Sequence, residues 1–252
     1  MLIVKDRFTG ISEPEVKTYI DAVEAADGEL IEFGVANAVN DFVRGCKNDG
    51  NWEAIKASCI LAGARTLEGA LVPLVGVAPT NNNFVSPDYN RKTGLKGNGG
   101  TKYLNSNRAN NADPRLSAHR VVAGNFFSLG QVFMSNNAFS WMYKFIQAGQ
   151  YVGDVNNGGS NAGVSRFTTT SNFVGSNRNG NTLSLRTSGG TTSVTSISNF
   201  YFGGNLIIGQ SGLGLSGLKD NMTFYSIGES LDLTKLDTRV TALINAFSSA
   251  IP

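Results

Sequence analysis

NGNTLSLRTSGG, residues 179–190, reads as one β-strand held between two turns. Asn179-Gly180-Asn181 and Ser188-Gly189-Gly190 are built from residues that accept the left-handed backbone of tight hairpins, and residues 182–187 between them have the length of a strand. The same punctuation recurs outward from this stretch, as Gly97-Asn98-Gly99-Gly100 on one side and Asn156-Asn157-Gly158-Gly159 nearer by. Further candidate strands cover residues 84–85, 101–104, 120–129, 140–147, 164–170, 198–208 and 221–227. Strands that return every roughly 10 to 20 residues with turn signals between them predict a two-layer antiparallel sandwich.

Both ends of the chain read differently. Val16, Tyr19, Ile20 and Val23 recur at helical spacing after Ser12 and Pro14, a capping residue and a first-turn proline, and stop at Asp27-Gly28. Val35, Ala38, Val39, Phe42 and Val43 predict a second helix up to Asn48-Asp49-Gly50. A third helical run is expected from Trp52 through Ile55, Ala57, Ile60 and Leu61, and a short apolar fourth over residues 66–75. Leu231, Leu236, Val240, Leu243, Ile244 and Phe247 predict a terminal helix with Asp232 at its start. The expected fold is therefore mainly β: a two-layer antiparallel sandwich over residues 78–252 with a terminal helix, behind a helical lead over residues 1–77.

Composition supports a folded chain. Of its 252 residues 41% are hydrophobic, enough for a substantial core without staples, and 30 Gly against 6 Pro fit many tight turns. The two cysteines, Cys46 and Cys59, are too few for a disulfide framework or a zinc site and are expected as buried thiols. The sequence shows no stretch of about 18 apolar residues, so no membrane insertion is expected, and the charged opening MLIVKDRFTG suggests synthesis and folding in a cytoplasm without an export signal.

The net charge of +2 conceals a division. Residues 1–68 carry twelve acids against seven bases, whereas residues 69–219 carry twelve bases against only Asp88, Asp113 and Asp154. That scarcity removes the paired or clustered carboxylates that most hydrolytic chemistry on a β scaffold uses, and no catalytic residue, cofactor or metal is expected. His119, the single histidine, reads as structural, and Gly97-Asn98-Gly99 lacks the Gly-Lys-Ser/Thr of a phosphate loop. Arg91, Lys92, Lys96, Lys102, Arg108, Arg115 and Arg120 form a basic run without acidic partners in sequence, but no nucleic-acid module accompanies it and no nucleic acid is expected as partner.

Two segments carry a family resemblance. DYNRKTGLKGNGGTKYLNSN, residues 88–107, resembles the opening strands of concanavalin-A-like and laminin-G-like jelly rolls, with Gly94-Leu95, Gly97, Gly99 and Tyr103-Leu104 in their pattern. NMTFYSIGESLDLTKLDTRVTALINAF, residues 221–247, is similar to that family's final aromatic strand running into a helical turn. Together with AIKASCILAGARTLEGALVPLVG, residues 54–76, the chain resembles virion proteins of tailed bacteriophages that carry such a domain behind a short helical lead. The calcium-binding members use spaced Asp and Asn at one rim, which here leaves Asn side chains and Asp154 as oxygen donors; the hydrolases of this fold carry clustered glutamates, which are absent.

The resemblance implies a non-enzymatic structural protein of the virion, displayed on the particle exterior as a tail knob, fibre or spike component or as capsid decoration. Its implied partners are other virion proteins and further copies of itself, as a homo-oligomer. The alternative is an adhesin that binds host surface glycan, and a third reading, a polysaccharide depolymerase, would rest on Asp154 or Asp220. For glycan binding the candidates are Trp141 and Tyr143, which share one face of a strand with Phe145, and Arg91, Lys92 and Arg120 of the basic run.

Overall fold

The computed structural model describes residues 9–128, 131–135, 141–144, 150–156, 163–197, 203–210 and 216–252. In chain order its elements are α1 (Pro14–Asp27), α2 (Phe33–Asn48), β1 (Ile55–Ile60), α3 (Leu67–Ala70), β2 (Pro73–Val75), β3 (Thr80–Asn82), β4 (Tyr89–Asn90), β5 (Gly94–Lys96), β6 (Tyr103–Ala109) and β7 (Ser117–Phe126). There follow β8 (Gln131–Ser135), β9 (Trp141–Lys144), β10 (Gln150–Asp154), β11 (Val164–Phe167), β12 (Ser171–Asn179), β13 (Thr182–Thr187), β14 (Gly190–Thr195), β15 (Asn205–Ile208), β16 (Asn221–Gly228) and α4 (Leu233–Ala250).

The stretch 179–190 folds as its turns dictate. β12 and β13 pair from Asn179 opposite Thr182, which leaves Gly180 and Asn181 as a two-residue loop, and Gly180 takes φ 58 at the first loop position, where type II′ hairpins want glycine. β13 then pairs with β14 across Ser188 and Gly189. From this hairpin a nine-stranded sheet extends in the order β14-β13-β12-β7-β16-β1-β2, with β5 also on β16 and β4 on β5. A seven-stranded sheet, β11-β10-β9-β8-β15-β6-β3, packs against it, and the ladders of both are antiparallel.

The large sheet is covered on both faces, giving three layers. Alternate residues divide between them: Val121, Phe173 and Phe224 join Val39, Phe42, Leu236, Val240 and Phe247 of the helices, whereas Val122, Val174 and Tyr225 join Phe133, Met142 and Tyr151 of the small sheet. Phe42 meets Phe224 edge-on at 5.6 Å on the helical side, and Phe133 stacks on Tyr151 at 5.9 Å between the sheets. The expectation of a mainly β antiparallel sandwich of jelly-roll kind with helices at both ends holds. α4 starts at Asp232, whose Oδ1 accepts from the Thr234 and Lys235 amides.

Three local expectations are corrected. Residues 55–60 form a strand, not a third helix: β1 lies between β16 and β2, with Ile60 facing the helices and Ala57 and Cys59 facing the small sheet. A strand buried on both faces loses its alternation of apolar and polar residues and imitates a buried helix. It follows that Ile55–Ile60 and Pro73–Val75 belong to the sheet and not to a helical lead, and α1 and α2 pack on that sheet. The run 66–75 is helical only at Leu67–Ala70 before Pro73–Val75 joins β1. Finally, Ser12 does not cap α1; its N-cap is Glu13, and Asn40 Oδ1 accepts from the Ser12 and Glu13 amides.

Candidate functional site

α4 lies across the outer face of the large sheet, but at the end of β7 helix and sheet part around a cavity of about 370 Å³. Its origin is in the backbone. On one side Met222 pairs with Gly124 and Phe224 with Ala123, so Thr223 is an extra residue in β16. On the other side Ser171 pairs with Phe126 and Phe173 with Ala123, so β7 itself carries the extra residue. Two bulges at one level of β7 bend the sheet there and re-aim its side chains. Gly124 is required by this geometry, since a Cβ at that position would stand 2.0 Å from the Asn221 carbonyl oxygen.

Amides and hydroxyls line the cavity. Asn125, Asn172, Asn221 and Thr223 come from the sheet, Thr241 and Asn245 from α4, and Val240 and Ile244 give the helical wall an apolar surface. Lys92 and Thr93 close the rim from the β4–β5 turn, which Asn90 Oδ1 fixes by accepting from both their amides at 2.9 and 3.0 Å. Thr93 Oγ1 accepts from Asn221 Nδ2, and Thr241 donates to Asp237. The side chains of Asn125, Asn172 and Asn245 take no hydrogen bond from the rest of the described protein, and Lys92 forms no ion pair with the described residues. Among the described residues no carboxylate lines the cavity.

Of the ligand-binding candidates read from the sequence, Lys92 alone lines this site among the described side chains. Arg91, its neighbour, is turned inward: it forms a two-pronged pair with Glu32, Nη1–Oε1 3.0 Å and Nη2–Oε2 2.5 Å, and also donates to the Gly63 and Ala64 carbonyls. The bond from Arg91 holds the Glu32 carboxyl below its ordinary pKa. Arg120 is buried and donates to the His119 and Asn110 carbonyls, with Asp113 3.5 Å away, so it is part of the interior and not a ligand contact. The expectation that the basic run lacks acidic partners is corrected as well, for Lys102 pairs with Asp88 and Arg108 with Asp113. Those partners are near in sequence, whereas Glu32 lies 59 residues from Arg91 and only the fold brings them together. Trp141 and Tyr143 lie on β9, opposite Asp154 and Val152 of β10, and their side chains lie outside the described residues, as does Phe145.

Other reactive groups are occupied elsewhere. Asp220, a candidate for depolymerase chemistry, accepts from the Phe127 and Ser128 amides, the Ser128 hydroxyl and Gln131 Nε2, all within 2.8 Å. Both cysteines are buried, which pushes their thiols up to about 12. Among the described residues no three His, Cys, Asp or Glu gather as a metal site would need, and no helix is long and apolar enough to cross a membrane. The cavity residues Asn125, Asn172 and Asn245 were not singled out in the sequence. The one available sign was Gly124-Asn125 inside the apolar run 120–129, the kind of interruption that marks a bulge.

No family model matches the chain, and no curated protein matches it. Solved structures that resemble it include domain 4 of an extracellular arabinanase from Geobacillus stearothermophilus in complex with arabinotriose, at TM-score 0.40 and 10% identity over 66% of this chain and 82% of that one. A mutant Trypanosoma rangeli sialidase with trans-sialidase activity gives TM-score 0.44 and 11% identity over 83% of this chain and 39% of that one. An alginate lyase of polysaccharide lyase family 7 gives 0.32 and 9% over 56% and 78%. These are carbohydrate-active proteins and not virion proteins. The expectations of a non-enzymatic virion protein and of a chain that is not an enzyme are withdrawn on this finding. At these TM-scores the likeness transfers no residue, substrate or mechanism to this chain.

Proposed function

We propose that the cavity between β7, β16 and α4 binds a carbohydrate. The observation that carries this is the set of three amides, Asn125, Asn172 and Asn245, unengaged among the described residues, around an aliphatic wall in a cavity that no described carboxylate lines. A primary amide offers donor and acceptor in one plane and so matches neighbouring hydroxyls of a sugar, while Val240 and Ile244 suit the C–H face of the ring. A cationic ligand would find no counter-charge among the described lining residues. Lys92 at the rim favours a ring bearing a carboxylate or sulfate over its neutral analogue. The volume, about 370 Å³, lies in the range of small-ligand sites.

The test is calorimetric titration of the purified protein with neutral and acidic oligosaccharides, with chromatography of the same mixtures to detect cleavage. Asn172 and Asn245 are exposed, so Asn172→Ala and Asn245→Ala leave the fold intact. Each is expected to weaken binding by about tenfold, the value of one hydrogen bond in a site. Absence of binding across both classes of sugar, or binding indifferent to both substitutions, would overturn the reading.

A further inference from the structure

We infer that Thr223 is the specificity contact of the cavity, the side chain that receives the most deeply inserted hydroxyl of the sugar; this rests on the carbohydrate reading above. Most polar groups of the lining stand at its mouth: Lys92, Thr93, Asn125, Asn172, Thr241 and Asn245 are exposed. Thr223 is only 6% exposed, and the other buried residues of the described lining are Ala123 and Val240, each 2% exposed. The floor is therefore apolar apart from one threonine.

The bulge in β16 brings Thr223 to that floor. Met222 and Tyr225 pack towards the small sheet and Phe224 towards the helices, so the extra residue lets Thr223 share the helical face with Phe224. In a regular strand one of those two neighbours would be turned to the small sheet. The Leu61 amide donates to the Thr223 carbonyl at 2.8 Å and anchors the bulge to the chain just beyond β1. Of the cavity hydroxyls, Thr93 accepts from Asn221 and Thr241 donates to Asp237, whereas Thr223 Oγ1 makes no hydrogen bond with the described residues. A buried hydroxyl without a partner costs stability, and valine, of the same shape, would fill this place without that cost. A ligand hydroxyl, which both donates and accepts, suits the position. A carboxylate or sulfate set against Ala123 and Val240 would lose its water, so an acidic ring keeps its charge at the Lys92 rim and enters hydroxyl edge first.

The experiment titrates glucose, galactose, xylose and galacturonate, with the monodeoxy analogues of each sugar that binds, into the wild-type protein, Thr223→Val and Thr223→Ser. The wild type is expected to lose about tenfold in affinity when one particular hydroxyl of a bound sugar is removed. Thr223→Val loses about tenfold for the parent sugar, no longer distinguishes it from that analogue, and melts no lower than the wild type, while Thr223→Ser keeps the discrimination. Equal affinity of the wild type for a sugar and all its deoxy analogues, or discrimination that survives in Thr223→Val, overturns the floor contact and leaves the cavity reading to Asn172→Ala and Asn245→Ala. A lower melting temperature of Thr223→Val overturns it too, because the hydroxyl then serves the fold. A wild-type protein that binds none of the four sugars fails the cavity reading itself and the floor contact with it.

Discussion

His119 Nε2 and Ser226 Oγ stand 2.7 Å apart between β7 and β16, and both residues are fully buried. His119 Nδ1 is 2.6 Å from the Glu229 carbonyl oxygen, which can only accept, so Nδ1 carries the proton and Nε2 accepts from the serine hydroxyl. A serine beside a histidine base is the outline of a nucleophilic pair, but no substrate reaches it. Its work is to fasten the start of β7 to the end of β16.

Burial lowers the His119 pKa from 6.5 to about 4. Between those values the unfolded chain binds a proton that the folded chain excludes, so this contribution is complete above pH ~6.5 and is lost as the pH falls towards ~4. The expected loss is about 3 kcal/mol across the window. Urea denaturation at half-unit pH steps should show that slope in the wild type and a flatter one in His119→Gln; identical slopes would mean that His119 titrates normally in the fold.

Asp113 is buried against Arg108 and buried Arg120. Asp113→Ala leaves the guanidinium of Arg120 enclosed without its carboxylate, and removing one member of a buried ionic group costs about 3–5 kcal/mol. Guanidinium chloride denaturation measures this directly. A loss below about 1 kcal/mol would place the pair in a wetter setting than its burial indicates.

Gly124→Ala should damage stability and site together. The new Cβ meets the Asn221 carbonyl at 2.0 Å and the Phe126 ring at 2.8 Å, contacts that neither backbone nor packed ring can relieve without moving β16. Strain of this kind costs about 1–3 kcal/mol, and the shift carries Asn221 and Thr223 away from the cavity. Thermal melting and sugar titration should both fall; an unchanged melting curve would show that the double bulge tolerates a side chain.

Arg91 and Lys92, adjacent in sequence, should separate in experiment. Arg91→Gln breaks the Glu32 pair and the bonds to the Gly63 and Ala64 carbonyls, for an expected loss of about 1–3 kcal/mol after allowance for partial exposure. Lys92→Gln should stay within about 0.5 kcal/mol of the wild type yet weaken binding of acidic sugars, more at low salt than at high. The two variants, melted and titrated side by side at two salt concentrations, decide the point; a destabilised Lys92→Gln would contradict the assignment.

Local patterns along the chain were enough for the class of fold and most of its punctuation. Gly180-Asn181 made a hairpin because the first position of this two-residue loop needs positive φ, which glycine takes freely, and α1, α2 and α4 followed from apolar stripes that local spacing reveals. Local pattern did not disclose β1, because a strand covered on both faces carries no alternation to read. Ion pairs such as Arg91 with Glu32 span 59 residues, and no local pattern links such partners. The cavity was hidden for the same reason: Asn125, Asn172 and Asn245 stand on β7, β12 and α4, and only sheet register, two bulges and the path of the last helix bring them to one opening. Local backbone preference and hydrophobic period are written residue by residue, whereas the meeting of distant polar groups is a property of the packed chain alone.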